Sequence, residues 1–213
     1  RIISAHKVFT RWEARRHKTK PWLPIASYYL FYRAKFDVGT EPSIMLDVQL
    51  RRSPYATQRK AVCCGRLYES DQTCELPLPA SIVGDKLLTL GPTTLGIPVG
   101  KGKEAQRLKH AFDISTLLTM QPGLSDMRAS FFACLKHECD LQERVILAEA
   151  VMNDTVAYCA RVAHYGGKPA PAPGMSPDLL ENIKGIDDFR GHLFSKDYSW
   201  QRLQCDPVSY THL

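Results

Sequence analysis

Ser43-Ile44-Met45-Leu46-Asp47-Val48-Gln49-Leu50 is the stretch whose reading decides the fold class. Ile44, Leu46, Val48 and Leu50 fall on one face by a strand's period of two, and Met45, Asp47 and Gln49 on the other. The stretch therefore reads as a strand. Asp47 is out of place in it on propensity. A buried carboxylate needs a cation or hydrogen-bond donors. A Mg²⁺ ion shared with further carboxylates meets that need, and an exposed face removes it.

Upstream, residues 26–37 are rich in Tyr and Phe and read as a second strand. The turn Gly39-Thr40-Glu41-Pro42 joins the two as a hairpin. Residues 2–17 read as a helix, closed by Lys20-Pro21-Trp22-Leu23-Pro24. On that helix Lys7, Arg11 and Arg15, at i, i+4 and i+8, share a face.

Downstream, a basic loop (51–60) leads to a third strand over 61–68. Residues 76–80 are apolar with two prolines and read as the entry to a helix. From there the pattern is helical: 81–90 behind Ser81 as N-cap, 103–120, 125 to about 137, and 141–165. A Gly/Pro/Ala arm covers 166–174, and two shorter helices follow at 177–184 and 187–200. Strands come first and helices after, which is the order of an α+β fold. The expected division is a core over 1–98 and a helical domain over 99–206. Residues 207–213 look like a translated sequencing-adapter tail, and Arg1 in place of Met marks a fragment or a processed chain.

At 213 residues the chain is long enough for one large domain, or a core with a smaller partner. Its 44% hydrophobic and 23% charged residues exclude a disordered or fibrous protein. Seven irregularly spaced cysteines do not make a disulfide framework, so a reducing, cytoplasmic setting is expected. No apolar run approaches the roughly 18 residues of a membrane span, and no secretory signal opens the chain.

Charge is uneven. Residues 1–62 hold 13 Lys and Arg against 4 Asp and Glu, whereas residues 63–213 hold 15 against 18. The densest basic group is Lys7, Arg11, Arg15, Arg16, Lys18 and Lys20, a pattern that suits a nucleic-acid backbone or a triphosphate.

Three further pieces carry candidate chemistry. Asp85-Lys86 sits in the helix of residues 81–90, where a lysine meets a phosphate as a point charge. Arg107-Leu108-Lys109-His110-Ala111-Phe112-Asp113 places Lys109 and Asp113 at i, i+4, with Arg107, His110 and Asp113 on an adjacent strip. Cys134, His137, Cys139, Cys159 and His164 lack the second regular pair of a zinc module and read as helix core. The vicinal Cys63 and Cys64 point to opposite faces of a strand and read as thiols.

In order, Ile-Met-Leu-Asp (44–47), Leu-Pro-Ala-Ser-Ile-Val-Gly-Asp-Lys-Leu-Leu-Thr-Leu-Gly-Pro-Thr-Thr-Leu-Gly-Ile (78–97) and Arg-Leu-Lys-His-Ala-Phe-Asp-Ile-Ser-Thr-Leu-Leu (107–118) resemble the AbiEii family of nucleotidyltransferase toxins. The resemblance is tightest over 76–118 and extends loosely to 26–118. It implies a DNA polymerase beta-like core of mixed sheet and flanking helices, followed by a helical domain. It also implies transfer of a nucleotide from an NTP to an acceptor, such as the RNA of a tRNA end, with Mg²⁺ as cofactor. Family members act in toxin–antitoxin and phage-defence systems. Asp47 matches the third metal carboxylate, and Lys86 the phosphate-meeting lysine of the third motif. Arg107, Lys109 and Asp113 match the fourth motif. That motif is often written Lys-Asp-x-x-Asp, and here His110 stands for its first Asp. The Gly-Ser and Asp-x-Asp of the first motifs do not occur before Asp47. They are expected upstream of Arg1, so the fragment itself is expected to be inactive.

Two other readings use the same residues. One is a non-catalytic nucleic-acid-binding module working through the basic N-terminal segment. The other is a helical protein-interaction module centred on residues 124–165, with a cognate antitoxin as partner.

Overall fold

The computed structural model describes residues 8–15, 21–36, 39–166 and 170–210. The chain divides between Ser53 and Pro54 into two units. The smaller one contains β1 (Phe9–Arg15), β2 (Ile25–Tyr32) and β3 (Ser43–Gln49), an antiparallel sheet in the order β1-β2-β3. The hairpin of the second and third strands is as the sequence indicates. Residues 9–15 are a strand, which corrects the expected helix. The aromatic-rich β2 offers this segment a pairing edge and ring faces, and such pairing overrides the weak helix propensity of Phe, Thr and Trp. Arg11 and Arg15 still share a face, because a spacing of four is even in a strand as well.

That face carries Arg11, Glu13 and Arg15 beside Phe31, Tyr29 and Ser27, with Ser43, Met45 and Asp47 beyond. The Arg11 guanidinium lies 3.5 Å over the Phe31 ring and donates to Glu41 at 2.6 Å and to Glu13. Arg15 lies 5.9 Å over Tyr29 and reaches Met45 Sδ at 3.5 Å. On the opposite face Trp12 packs edge-on against Tyr28 at 5.8 Å, beside the buried Leu30.

The larger unit opens with β4 (Thr57–Cys64) and β5 (Tyr68–Pro77), an antiparallel ribbon. The polar β5 is absent from the sequence reading. The ribbon is mostly solvent-exposed, so its residues carry no alternation of apolar and polar. Among the described residues six helices follow: α1 (Pro79–Leu87), α2 (Glu104–Leu118), α3 (Leu124–Gln142), α4 (Ala148–Ala163), α5 (Pro177–His192) and α6 (Trp200–Tyr210). The fold class is α+β.

Details differ from expectation for local reasons. Pro79 opens α1 at a position where its missing N–H costs nothing. Ser81, expected as the N-cap, lies inside the helix; its Oγ accepts from Ala56 N and donates to Ala56 O, at 3.1 and 3.2 Å. Left-handed Glu143 (φ 52°) ends α3, so the helix expected over 141–165 begins at Ala148. The two short helices expected after residue 176 are one, α5. It runs through Gly185, where an added Cβ would lie 2.7 Å from Glu104 Cβ on α2.

The main core joins α1, α2, α4, α5 and α6 through Val83, Leu108, Ile114, Tyr158, Val162, Phe189 and Leu203, all buried. Each such side chain contributes about 1.5–3 kcal/mol of burial. Tyr158 and Asn182 satisfy each other inside it, at 3.0 and 3.2 Å. Of the described helices, none is long and apolar enough to cross a membrane.

α1 approaches α3 most closely at Gly84. A Cβ there would lie 2.6 Å from the backbone N of Phe131 and 2.8 Å from the carbonyl O of Met127. Backbone atoms cannot swing aside, so the helices must separate. Gly84→Ala is expected to lower stability in urea unfolding by about 1–3 kcal/mol, despite alanine's better helix propensity. A neutral or stabilising effect would show that the contact yields.

Candidate functional site

Lys86 lies in the last turn of α1, and Lys109, His110 and Asp113 occupy neighbouring positions along α2. One carboxylate oxygen ties them together. Asp113 Oδ2 accepts from Lys86 Nζ at 2.8 Å and from Lys109 Nζ at 2.6 Å. Lys86 and Asp113 are largely buried, at 17% and 23% exposure, whereas Lys109 is 56% exposed. Burial works against the Asp113 charge, but the two lysines outweigh it and hold its carboxyl below the usual range. Two ammonium groups face the one Asp113 carboxylate, and the Asp85 carboxyl interacts with Lys86 as well.

His110 belongs to the same cluster. Its Nδ1 is buried and without a hydrogen-bond partner. Burial first, and then Lys86 and Lys109, push its pKa down to about 4; Asp113 pulls the other way and loses. The imidazole is therefore neutral at pH 7. Next to Lys86, Asp85 bonds to Tyr55, and burial raises its carboxyl above the usual range against the pull of Tyr55 and Lys86. Neither the neutral histidine nor the Tyr55 contact is visible in the sequence, because both follow from burial and from a partner about 30 residues away.

The structure takes Arg107 elsewhere. Its side chain is fully buried; it pairs with Glu181 on α5 at 3.0 Å and donates to Ile97 O at 2.9 Å. Glu181 also accepts from Gly100 N. Arg107 thus braces the 97–100 loop against α5, and a phosphate could reach it only by displacing Glu181.

The loop Gly91-Pro92-Thr93-Thr94-Leu95-Gly96 has the look of a phosphate cradle, yet its donors are taken. Asp154 Oδ2 accepts from the N–H groups of Thr93 and Thr94 at 2.9 and 2.8 Å and from Thr94 Oγ1 at 2.9 Å. Gly91 is required there, since a Cβ would stand 2.5 Å from Asp154 Oδ2.

Asp47 belongs to the other unit. It is exposed on β3, in one row with Ser27 and Arg15. The burial argument for a metal at Asp47 therefore fails. Among the described residues no group of three or more His, Cys, Asp or Glu is placed to hold a metal ion. Cys134 and Cys159 are buried in the helices, and all seven cysteines are free thiols. Of the basic N-terminal group, Arg11 and Arg15 are placed on β1; Lys7, Arg16, Lys18 and Lys20 lie outside the described residues.

The His110 geometry has a pH signature. An unfolded histidine titrates near 6.5, against about 4 in the fold. Between these values the unfolded chain binds a proton that the folded chain refuses. The His110 contribution therefore makes stability fall as pH is lowered through that window. In His110→Gln this part of the fall disappears. Urea unfolding of both proteins at about pH 7 and about pH 5 measures the difference; identical pH dependence would mean that His110 is not held neutral.

No protein-family profile, curated protein or solved structure matches the chain.

Proposed function

We propose that this chain is part of an AbiEii-type nucleotidyltransferase, a toxin of a toxin–antitoxin or phage-defence system, in which Lys86 and Lys109 receive the phosphates of an NTP. The observation that supports the reading is the shared Asp113 oxygen. The resemblance pairs a lysine of one motif with a Lys-x-x-x-Asp of the next, and residues 86, 109 and 113 meet within 2.8 Å.

The chemistry asked of these residues is electrostatic. An acceptor hydroxyl, on RNA in this reading, attacks the α-phosphorus of the NTP. Its oxygen gains the nucleotidyl group and loses a proton, and pyrophosphate leaves with the electrons of the broken P–O bond. Lys86 and Lys109 offset the charge on the phosphates, and each charged hydrogen bond contributes about 1.5–3 kcal/mol. Asp113 orients both ammonium groups before the substrate arrives, so little reorganisation is needed on binding. His110 stays neutral and adds no charge of its own to the cluster. Asp47 as third carboxylate rests on the resemblance alone, and no step is assigned to a metal. An RNA acceptor is consistent with Arg15 beside Tyr29, a cation and a ring on one exposed face.

Binding of each of the four NTPs to this chain, followed by calorimetry, tests the phosphate role. Lys86→Ala is expected to weaken the preferred NTP about tenfold or more, near 1.4 kcal/mol, with the circular dichroism spectrum retained. Unchanged affinity removes Lys86 from the site. Transfer of labelled NTP to total RNA by the full-length protein tests the reaction. Asp47→Ala is expected to abolish it, and survival within a few-fold would take Asp47 out of the machinery.

A further inference from the structure

A groove of about 440 Å³ runs between α3 and α4. Its floor is Leu87 together with the buried Met127, Thr155 and Cys159. Its rim is apolar and open: Leu124, Phe132, Met152 and Val156 are 57%, 44%, 49% and 51% exposed. The Thr155 hydroxyl is already spent on Leu87 O at 3.0 Å, so the floor offers little polar chemistry. Open apolar surface lying along two helices is the form on which helical partners seat.

The charges beside the groove say which partner fits. Arg128 is the charged residue among those lining it. Its guanidinium lies 5.9 Å over the Phe132 ring and has no ion-pair partner among the described residues. Glu149 lies at i−3 from Met152 and i−7 from Val156, on the exposed flank of the opposite wall. It too has no ion-pair partner among the described residues. One face therefore presents an apolar centre with an unmatched cation on one wall and an unmatched anion on the other. That arrangement is self-complementary under a two-fold rotation, the requirement of an isologous dimer.

We infer that this face is a dimer interface, with a second copy of the chain as its occupant. Apolar rim packs on apolar rim, and Arg128 of each subunit meets Glu149 of the partner subunit. The paired aromatic, thioether and arginine side chains are the types that interface centres favour.

Sedimentation equilibrium of the full chain over two decades of concentration reads the outcome. A particle of twice the 24.0 kDa chain mass is expected. Arg128→Glu alone and Glu149→Arg alone should each weaken self-association at least tenfold. The double exchange should restore it to within a few-fold, while the circular dichroism spectrum stays unchanged throughout. Rescue by the double exchange separates an interface pair from a general loss of fold. A chain that stays at 24.0 kDa at every concentration overturns the inference, as does a double variant no better than either single one. A monomer whose Phe132 and Met152 signals in NMR move only on adding dodecanoate, or only on adding an amphipathic peptide, assigns the groove to that occupant instead and also overturns it.

Discussion

A single oxygen of Asp113 accepts from two lysines that arrive on different helices. Lys109 comes from the same helix one turn earlier, and Lys86 from the end of α1. The second bond is long-range and largely buried, so it fixes the end of α1 against α2 as well as balancing charge. An exposed pair such as Lys109–Asp113 alone contributes little, about 0–1 kcal/mol. Lys86 changes the case, because its ammonium sits where water is scarce and the carboxylate is its counter-charge.

A second ionic tie keeps α2 in place from its other side. Arg107 has no exposed surface, and its charge is met by Glu181 and by the Ile97 carbonyl. Its Nε is left without a partner. Burying such a pair stabilises little in itself, but removing one member leaves the other charge stranded at a cost of about 3–5 kcal/mol. The pair thus specifies where α5 and the 97–100 loop sit. Along seven residues of α2, Arg107 is committed to structure while Lys109 reaches solvent. Helical rotation separates them, since positions two apart face different ways.

How much of this was legible in the sequence depends on what each segment leans against. α1 and α2 read well, because their apolar positions repeat at the helical period and face a common core. By contrast, α4 starts later than expected, α5 joins two expected helices and α6 lies where none is expected. Lys109 and Asp113 were legible from spacing alone. β1 was not: its even spacing of basic residues fits a helix and a strand alike, and only the aromatic partner strand decides between them. β5 was hidden because a solvent-exposed ribbon imposes no alternation. For Asp47 the sequence lacks a single fact, whether its face is buried, and the exposed face removes the need for a counter-ion. The burial that holds His110 neutral was equally out of reach, since Lys86 arrives from another helix. Ser81 was read as a cap because the residue type fits, whereas Pro79 starts the helix two residues earlier.

The last turn of α1 is where the two surfaces of the larger unit meet. Lys86 reaches across to Asp113, and the next residue, Leu87, turns its side chain into the α3–α4 groove. The Leu87 carbonyl accepts from Thr155 of α4, so this turn is bonded to the groove wall as well. Gly84, one turn earlier, presses α1 against the α3 backbone with no space to slide. A displacement of Leu87 by anything seated in the groove acts directly on the final turn of α1, the turn that carries Lys86. The charge cluster and the apolar groove differ in chemistry, but one short helix sets the position of both.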